Sequence, residues 1–191
     1  TATASRSPHG SRPTCLLPIR TVGYHIVMDP TDLAVGTAAE HLVCFDLLMG
    51  GYRAFLADQN CPYDVAVEIG ARLVRIQVKA TRKARAVPQR TNPSSAYMWH
   101  VRRAGKNGSR VYRDGEFDAL ALVALDVQRI AYLPPEDQKQ TVHIRVPGYV
   151  PPNPARLGKV GKEFDDFPFS RALRSLGVPD ERLDGIDLLP G

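Results

Sequence analysis

YDVAVEIGARLVRIQVKA, residues 63–80, reads as two β-strands folded on a Gly-Ala turn. Val74, Ile76 and Val78 alternate with Arg75, Gln77 and Lys79, the period-2 pattern of a strand with one face in a core. Gln77 and Lys79 therefore share the opposite face. With Gly70-Ala71 as a two-residue loop, Ile69 pairs with Arg72 and paired positions sum to 141. Asp64 then stands across from Gln77, with Lys79 one step along. A four-residue loop on the same centre keeps this pairing, whereas a three-residue loop breaks it unless a bulge restores parity. A carboxylate, an amide and an ammonium on one sheet face make a poor core and a reasonable site.

The charge around this stretch is lopsided. The chain of 191 residues carries 25 Lys+Arg and 20 Asp+Glu, a formal net charge of +5. From residue 69 to residue 113 there are 12 Lys or Arg and no acid, which leaves 13 positive against 20 negative charges elsewhere. A basic segment on an otherwise acidic body predicts a polyanion-binding surface. The segments 81–93 and 100–113 are the expected nucleic-acid contacts, through Arg82, Lys83, Arg85 and Arg90 in the first and Arg102, Arg103, Lys106 and Arg110 in the second. Tyr97, Trp99, Tyr112 and Phe117 lie among these residues. They can stack on bases, but their alternation with Met98 and Val111 favours core packing for most of them.

The rest of the chain frames one domain. Residues 1–30 form an arm, acid-free through residue 27 and containing Arg6, Arg12 and Arg20. It is read as a tag, an alternative start before Met28 or a targeting segment. Thr31 or Asp32 caps a helix to about Met49, ended by Gly50-Gly51. RAFLA (53–57) is a short strand before the hairpin, and residues 81–93 form a proline-punctuated loop. AYMWHVRR and RVYR are strands around AGKNGS. FDALALVALD (117–126), RIAYLPP (129–135) and TVHIRV (141–146) are further strands. Residues 148–191 are a Pro/Gly linker and tail with a short helix near 169–176. The order predicts an α/β (α+β) fold with a mixed central sheet flanked by helices. No apolar run approaches the roughly 20 residues of a membrane span, so no membrane partner is expected. Cys15, Cys44 and Cys61 are too scattered for a disulfide framework or zinc motif, which fits a reducing, intracellular setting, cytoplasm or nucleoid.

The first helix supplies a second carboxylate. Gly36, Glu40, Val43 and Leu47 fall on one helical face, so Glu40 is in phase with residues that pack on the sheet. Two readings stand side by side: Glu40 faces a cation or polar partner, or it sits in water at the helix boundary. No two histidines have ligand spacing.

Taken in order, GTAAE on the helix, MGGY, PYD and VRIQVKA resemble the PD-(D/E)XK nuclease superfamily. With Gln77 where an acid usually stands, the chain is most similar to the branch of homing endonucleases encoded in group I introns. There is further similarity to archaeal Holliday junction resolvases. The resemblance covers about residues 33–147 and implies a restriction-endonuclease-like core in a nuclease domain of residues 31–147.

The resemblance also implies roles. Asp64 matches the central metal ligand, Gln77 the second acid and Lys79 the motif lysine. Glu40 matches the helix glutamate, and the Val78 backbone carbonyl is a further oxygen ligand. Asp64, Gln77, Lys79 and Glu40 are thus the expected catalytic set, with Mg²⁺ as cofactor and Mn²⁺ able to substitute. The implied substrate is double-stranded DNA, cut at phosphodiester bonds and selectively, by a homodimer or homotetramer. Tyr63 intervenes between Pro62 and Asp64, a departure shared with the intron-encoded branch. Gln77 removes one negative charge and sets a two-metal mechanism in question. A junction or repair nuclease, a DNA-binding module with a decayed site and an RNA-binding sheet protein are the competing readings.

Overall fold

The computed structural model describes residues 29–86, 95–105, 108–149 and 162–180. Helix α1 (Asp32–Met49) starts where Thr31 Oγ1 accepts the Ala34 N–H at 3.2 Å, which satisfies one of the free donors of the first turn. The chain leaves the helix through Gly50 and turns at Gly51, whose φ of 82° favours a residue without a Cβ. Three antiparallel strands follow: β1 (Arg53–Leu56), β2 (Val65–Ile69) and β3 (Arg72–Thr81). Between β2 and β3 the loop is Gly70-Ala71, with Gly70 at φ 56° and Ile69 opposite Arg72. The register expected from hydrophobic alternation is the one observed, from Ile69↔Arg72 to Val65↔Ile76.

After β3 the chain makes a long excursion before returning parallel to it. The excursion builds β4 (Arg85–Ala86), β5 (Ser95–His100) and the hairpin of β6 (Arg103–Gly105) and β7 (Gly108–Arg110). Strand β8 (Ala119–Ala124) then pairs with β3 in parallel, and β9 (Arg129–Leu133) closes a five-stranded sheet in the order β1-β2-β3-β8-β9. β10 (Thr141–Arg145) joins β5 and β4 in a second sheet, and helix α2 (Phe169–Ser175) packs against β9. The fold is α+β with a mixed central sheet, as the element order implied.

Strand β8 shows why the layers form. All six of its residues are buried, the signature of a strand covered on both faces. Ala119, Ala121 and Val123 join one core with Ala39, Val43 and Leu47 of α1 and Phe169, Ala172 and Leu173 of α2. Leu120, Leu122 and Ala124 join the other with Tyr97, Trp99, Val142 and Phe164. Tyr97, Trp99 and Phe164 contact one another with ring centroids 5.6–6.2 Å apart. The indole N–H of Trp99 donates to the Val123 carbonyl at 3.3 Å, and the Tyr97 hydroxyl to Asp126 at 3.0 Å. These two aromatics are core residues, and their polar ends are satisfied inside it.

Two segments differ from their sequence readings. The expected loop 81–93 begins inside β3, because Thr81 is buried and pairs with Ala124, and Arg85 of β4 pairs with Ala96 of β5. The expected RVYR strand keeps only Arg110. The Arg113 N–H bonds a Glu116 carboxylate oxygen at 2.9 Å, which curls the chain into a turn instead. Residues 1–28, 87–94, 106–107, 150–161 and 181–191 lie outside the described residues. Of the segment read as linker and tail, α2 is packed into the main core.

Candidate active site

Asp64 stands one residue before β2, where the β2–β3 ladder ends. Its N–H donates to the Ile76 carbonyl at 2.9 Å. From there the side chain takes over the ladder: Asp64 Oδ2 accepts the Val78 N–H at 2.7 Å and the Gln77 side-chain amide. The Gln77 amide thus spends its N–H on Asp64 and keeps Oε1 as an acceptor. The N–H and C=O of alternate strand residues point to the same neighbour. The Ile76 carbonyl points toward β2, so the Val78 carbonyl also points that way, past the strand's end.

These groups line an open cleft of about 580 Å³ together with Glu40, Lys79, Arg103 and Tyr112. Glu40 reaches it from α1, next to the fully buried Ala39, and is itself half-buried. Of the two helical readings, the one in which Glu40 sits in water at the helix boundary does not match this half-buried position in the cleft. Lys79 Nζ lies 5.2 Å from the centre of the Tyr112 ring, a cation–π distance. Tyr112 is braced edge-on by Phe117, with 4.9 Å between centroids.

The electrostatics are those of a crowded, partly desolvated site. Burial pushes the Asp64 carboxyl upward, against the Val78 N–H and the charges of Lys79 and Arg103, which pull it down. Burial raises Glu40 too, and the Asp64 carboxylate adds to that rise. Lys79 moves down, because burial and then Arg103 outweigh the attraction of Asp64. Perturbed groups gathered in a cleft make it a functional-site candidate.

The donor set fits a hard cation. Among the described residues there is no cluster of three or more His, Cys, Asp or Glu. Two carboxylates face the cleft with two neutral oxygens, those of the Gln77 side chain and the Val78 backbone. Mg²⁺ and Mn²⁺ accept such oxygens, needing only one or two carboxylates beside substrate phosphate. Glu40 has no hydrogen bond or ion pair among the described residues, so a cation beside Asp64 would relieve both burial and repulsion.

The basic residues divide. Arg82 is exposed and pairs with Asp29 at 3.4 Å; Lys83 and Arg85 are exposed. Arg102 is exposed and donates to the Gln140 side chain at 3.2 Å. Arg110 is clamped by Glu116. Arg103 lies in the cleft, and Arg90 and Lys106 are outside the described residues. The acid-free window is not unpaired in space. Its cations find Asp29, Glu116 and, through Arg75, Asp118, all from outside it. Sequence reading named Arg103 as a DNA contact and Tyr112 as an aromatic able to stack or pack, but put neither in the cleft. Their nearest local signal, a basic residue and an aromatic among many, is indistinguishable from a surface.

A family model described as PD-(D/E)XK endonuclease matches residues 32–152, well over half of the chain. The solved structure of a bacterial homing endonuclease, I-Ssp6803I, is similar in fold, with a TM-score of 0.51 at 13% identity. The match covers 78% of this chain and 95% of that one. No curated protein matches the chain.

Proposed function

The chain belongs to the PD-(D/E)XK endonuclease family, and we propose that it hydrolyses phosphodiester bonds of double-stranded DNA with Mg²⁺, or with Mn²⁺ in its place, selectively and in the manner of a homing enzyme. The observation that carries this reading is the Asp64 carboxylate, held by the Gln77 amide and the Val78 N–H in one cleft with Lys79 and Glu40. A surface ion pair between Asp64 and Lys79, worth about 0–1 kcal/mol, accounts for neither the shared cleft nor Glu40.

Asp64, Glu40, Gln77 Oε1 and the Val78 carbonyl would hold the cation. When bound, it polarises the phosphoryl oxygens and neutralises the charge that develops on them. The chain's own groups do the rest. Asp64 is fixed by two donors, so its remaining oxygen has one direction. Lys79, half-buried and braced by Tyr112, holds a proton donor where a water attacks or where negative charge grows. With its pKa lowered, Lys79 exchanges that proton more readily than an exposed lysine. Gln77 contributes an oxygen without a charge, so the cleft holds one negative charge fewer than an all-acid set. Recognition of a long target by a chain of this size fits a symmetric homodimer or homotetramer.

The test is incubation of supercoiled plasmid, genomic DNA and a four-way junction with the protein, in Mg²⁺ or EDTA, beside Lys79→Ala. Mg²⁺-dependent nicking or linearisation that the variant lacks supports the nuclease. Cleavage confined to the junction replaces homing with junction resolution. If every substrate stays intact while duplex is still bound, the chain is a DNA-binding module.

A further inference from the structure

The β6–β7 hairpin carries two arginines that compete for one carboxylate, and they share it unequally. Glu116 takes two bonds from the Arg110 guanidinium, one at 3.0 Å and one shorter, and a third from the Arg113 N–H at 2.9 Å. Arg103 reaches the same carboxylate once, at 3.4 Å, at the limit of a hydrogen bond. Arg110 spends a further donor on the Val111 carbonyl at 3.0 Å. Arg103 has no other hydrogen-bond partner among the described residues, and a guanidinium has five N–H donors to place.

Position sharpens the contrast. Arg103 lines the cleft that holds Asp64, Gln77 and Lys79, and its charge is felt by both Asp64 and Lys79. Two cations turned into one cleft repel each other unless an anion lies between them. Asp64 attracts both cations, but among the described residues no hydrogen bond joins it to Arg103, so it does not complete the Arg103 fork. The chemistry that does is a phosphodiester, whose paired oxygens match the planar guanidinium.

We propose that Arg103 grips the scissile phosphate of bound DNA beside Lys79, and that Glu116 and Arg110 act only to hold Arg103 in place. This rests on the nuclease reading for the word scissile, but the phosphate contact itself does not require cleavage. Arg103 is then a catalytic residue, while Arg110, its partner on the neighbouring strand, is a positioning residue that touches no DNA.

Three readouts on Arg103→Ala, Arg103→Lys and Arg110→Ala test the assignment. The first is the salt dependence of binding to a short random-sequence duplex in EDTA, where no cleavage occurs. Arg103→Ala is expected to lower the slope of log affinity against log salt by about 0.9, one phosphate contact, and Arg110→Ala added to Arg103→Ala to lower it no further. The second is the cleavage rate of fully bound plasmid in Mg²⁺, expected to fall about 100-fold or more in Arg103→Ala. Arg103→Lys, which keeps the charge and loses the fork, should recover the slope and not the rate. The third is thermal melting, unchanged in Arg103→Ala and lowered in Arg110→Ala. Wild-type slope and rate in Arg103→Ala overturn the proposal, as does a further loss of slope when Arg110→Ala is added to Arg103→Ala. If the wild-type protein cuts no DNA, the nuclease reading fails, and the slopes in EDTA still decide whether Arg103 meets phosphate.

Discussion

Two hairpins meet at the cleft, and they are held by different physics. The β2–β3 hairpin is fastened by burial: Val65, Val67, Val74 and Ile76 have no exposed surface, and a slip of one residue would turn them all to the wrong face. The β6–β7 hairpin, which carries Arg103 and Arg110, is tied down by Glu116 through charged hydrogen bonds. The first places Asp64, Gln77 and Lys79 with the rigidity of a packed core. The second brings a cation to the same cleft on a support that pH and salt can loosen. One wall of the cleft is thus set by packing and the other by ion pairs.

The largest predicted effect lies on the buried side of that comparison. Asp64→Ala and Lys79→Ala should each reduce DNA cleavage about 1,000-fold or more while duplex affinity in EDTA stays within a few-fold, measured by gel assay and anisotropy. Loss of binding in step with cleavage would move both residues out of the chemistry. Next, Ile76→Ala should lower stability by about 2–5 kcal/mol in urea unfolding, because it empties the core that sets the register. A cost well under 1 kcal/mol would mean that the register has another anchor.

On the ionic side the prediction is a pH dependence. The Arg110 guanidinium, with the Arg113 N–H, holds the Glu116 carboxyl down at about 2, below its usual 4.5. A depressed folded pKa contributes stability that is present above the ordinary value and lost as pH falls from about 4.5 toward 2. Amide protection of β6 and β7 should therefore fall across that window before protection of β2 and β3 does, read by hydrogen exchange. Simultaneous loss in both hairpins would show that Glu116 is not the tie. The smallest effect is expected at the rim: Arg82→Ala removes an exposed pair with Asp29 worth about 0–1 kcal/mol. If Arg82 touches phosphate, its slope in the salt titration falls by about 0.9, and an unchanged slope takes it off the DNA surface.

Much of this was written locally. The Gly70-Ala71 turn and the alternation of Val74, Ile76 and Val78 set the Asp64–Gln77 meeting, because a two-residue loop leaves a hairpin one register that buries its apolar face. Thr31 and Gly51 bounded α1, because capping and positive φ are properties of single residues. Gln77 and Lys79 shared a face for the same local reason. The fate of the basic window was not written there. Among the described residues, Arg75, Arg82, Arg103 and Arg110 pair with Asp118, Asp29 and Glu116, and only the path of the chain from β3 to β8 brings Asp118 and Glu116 into reach.

By itself, then, the sequence determined helix α1, the register of the central hairpin and the shared face of Gln77 and Lys79, since each follows from contacts a few positions apart. Tertiary structure alone decided that Glu40 would be half-buried beside Asp64, and that Arg103 would enter the cleft while Arg110 stayed outside it. Those outcomes depend on which distant acid or apolar face wins each side chain, and that competition is settled only when the layers pack.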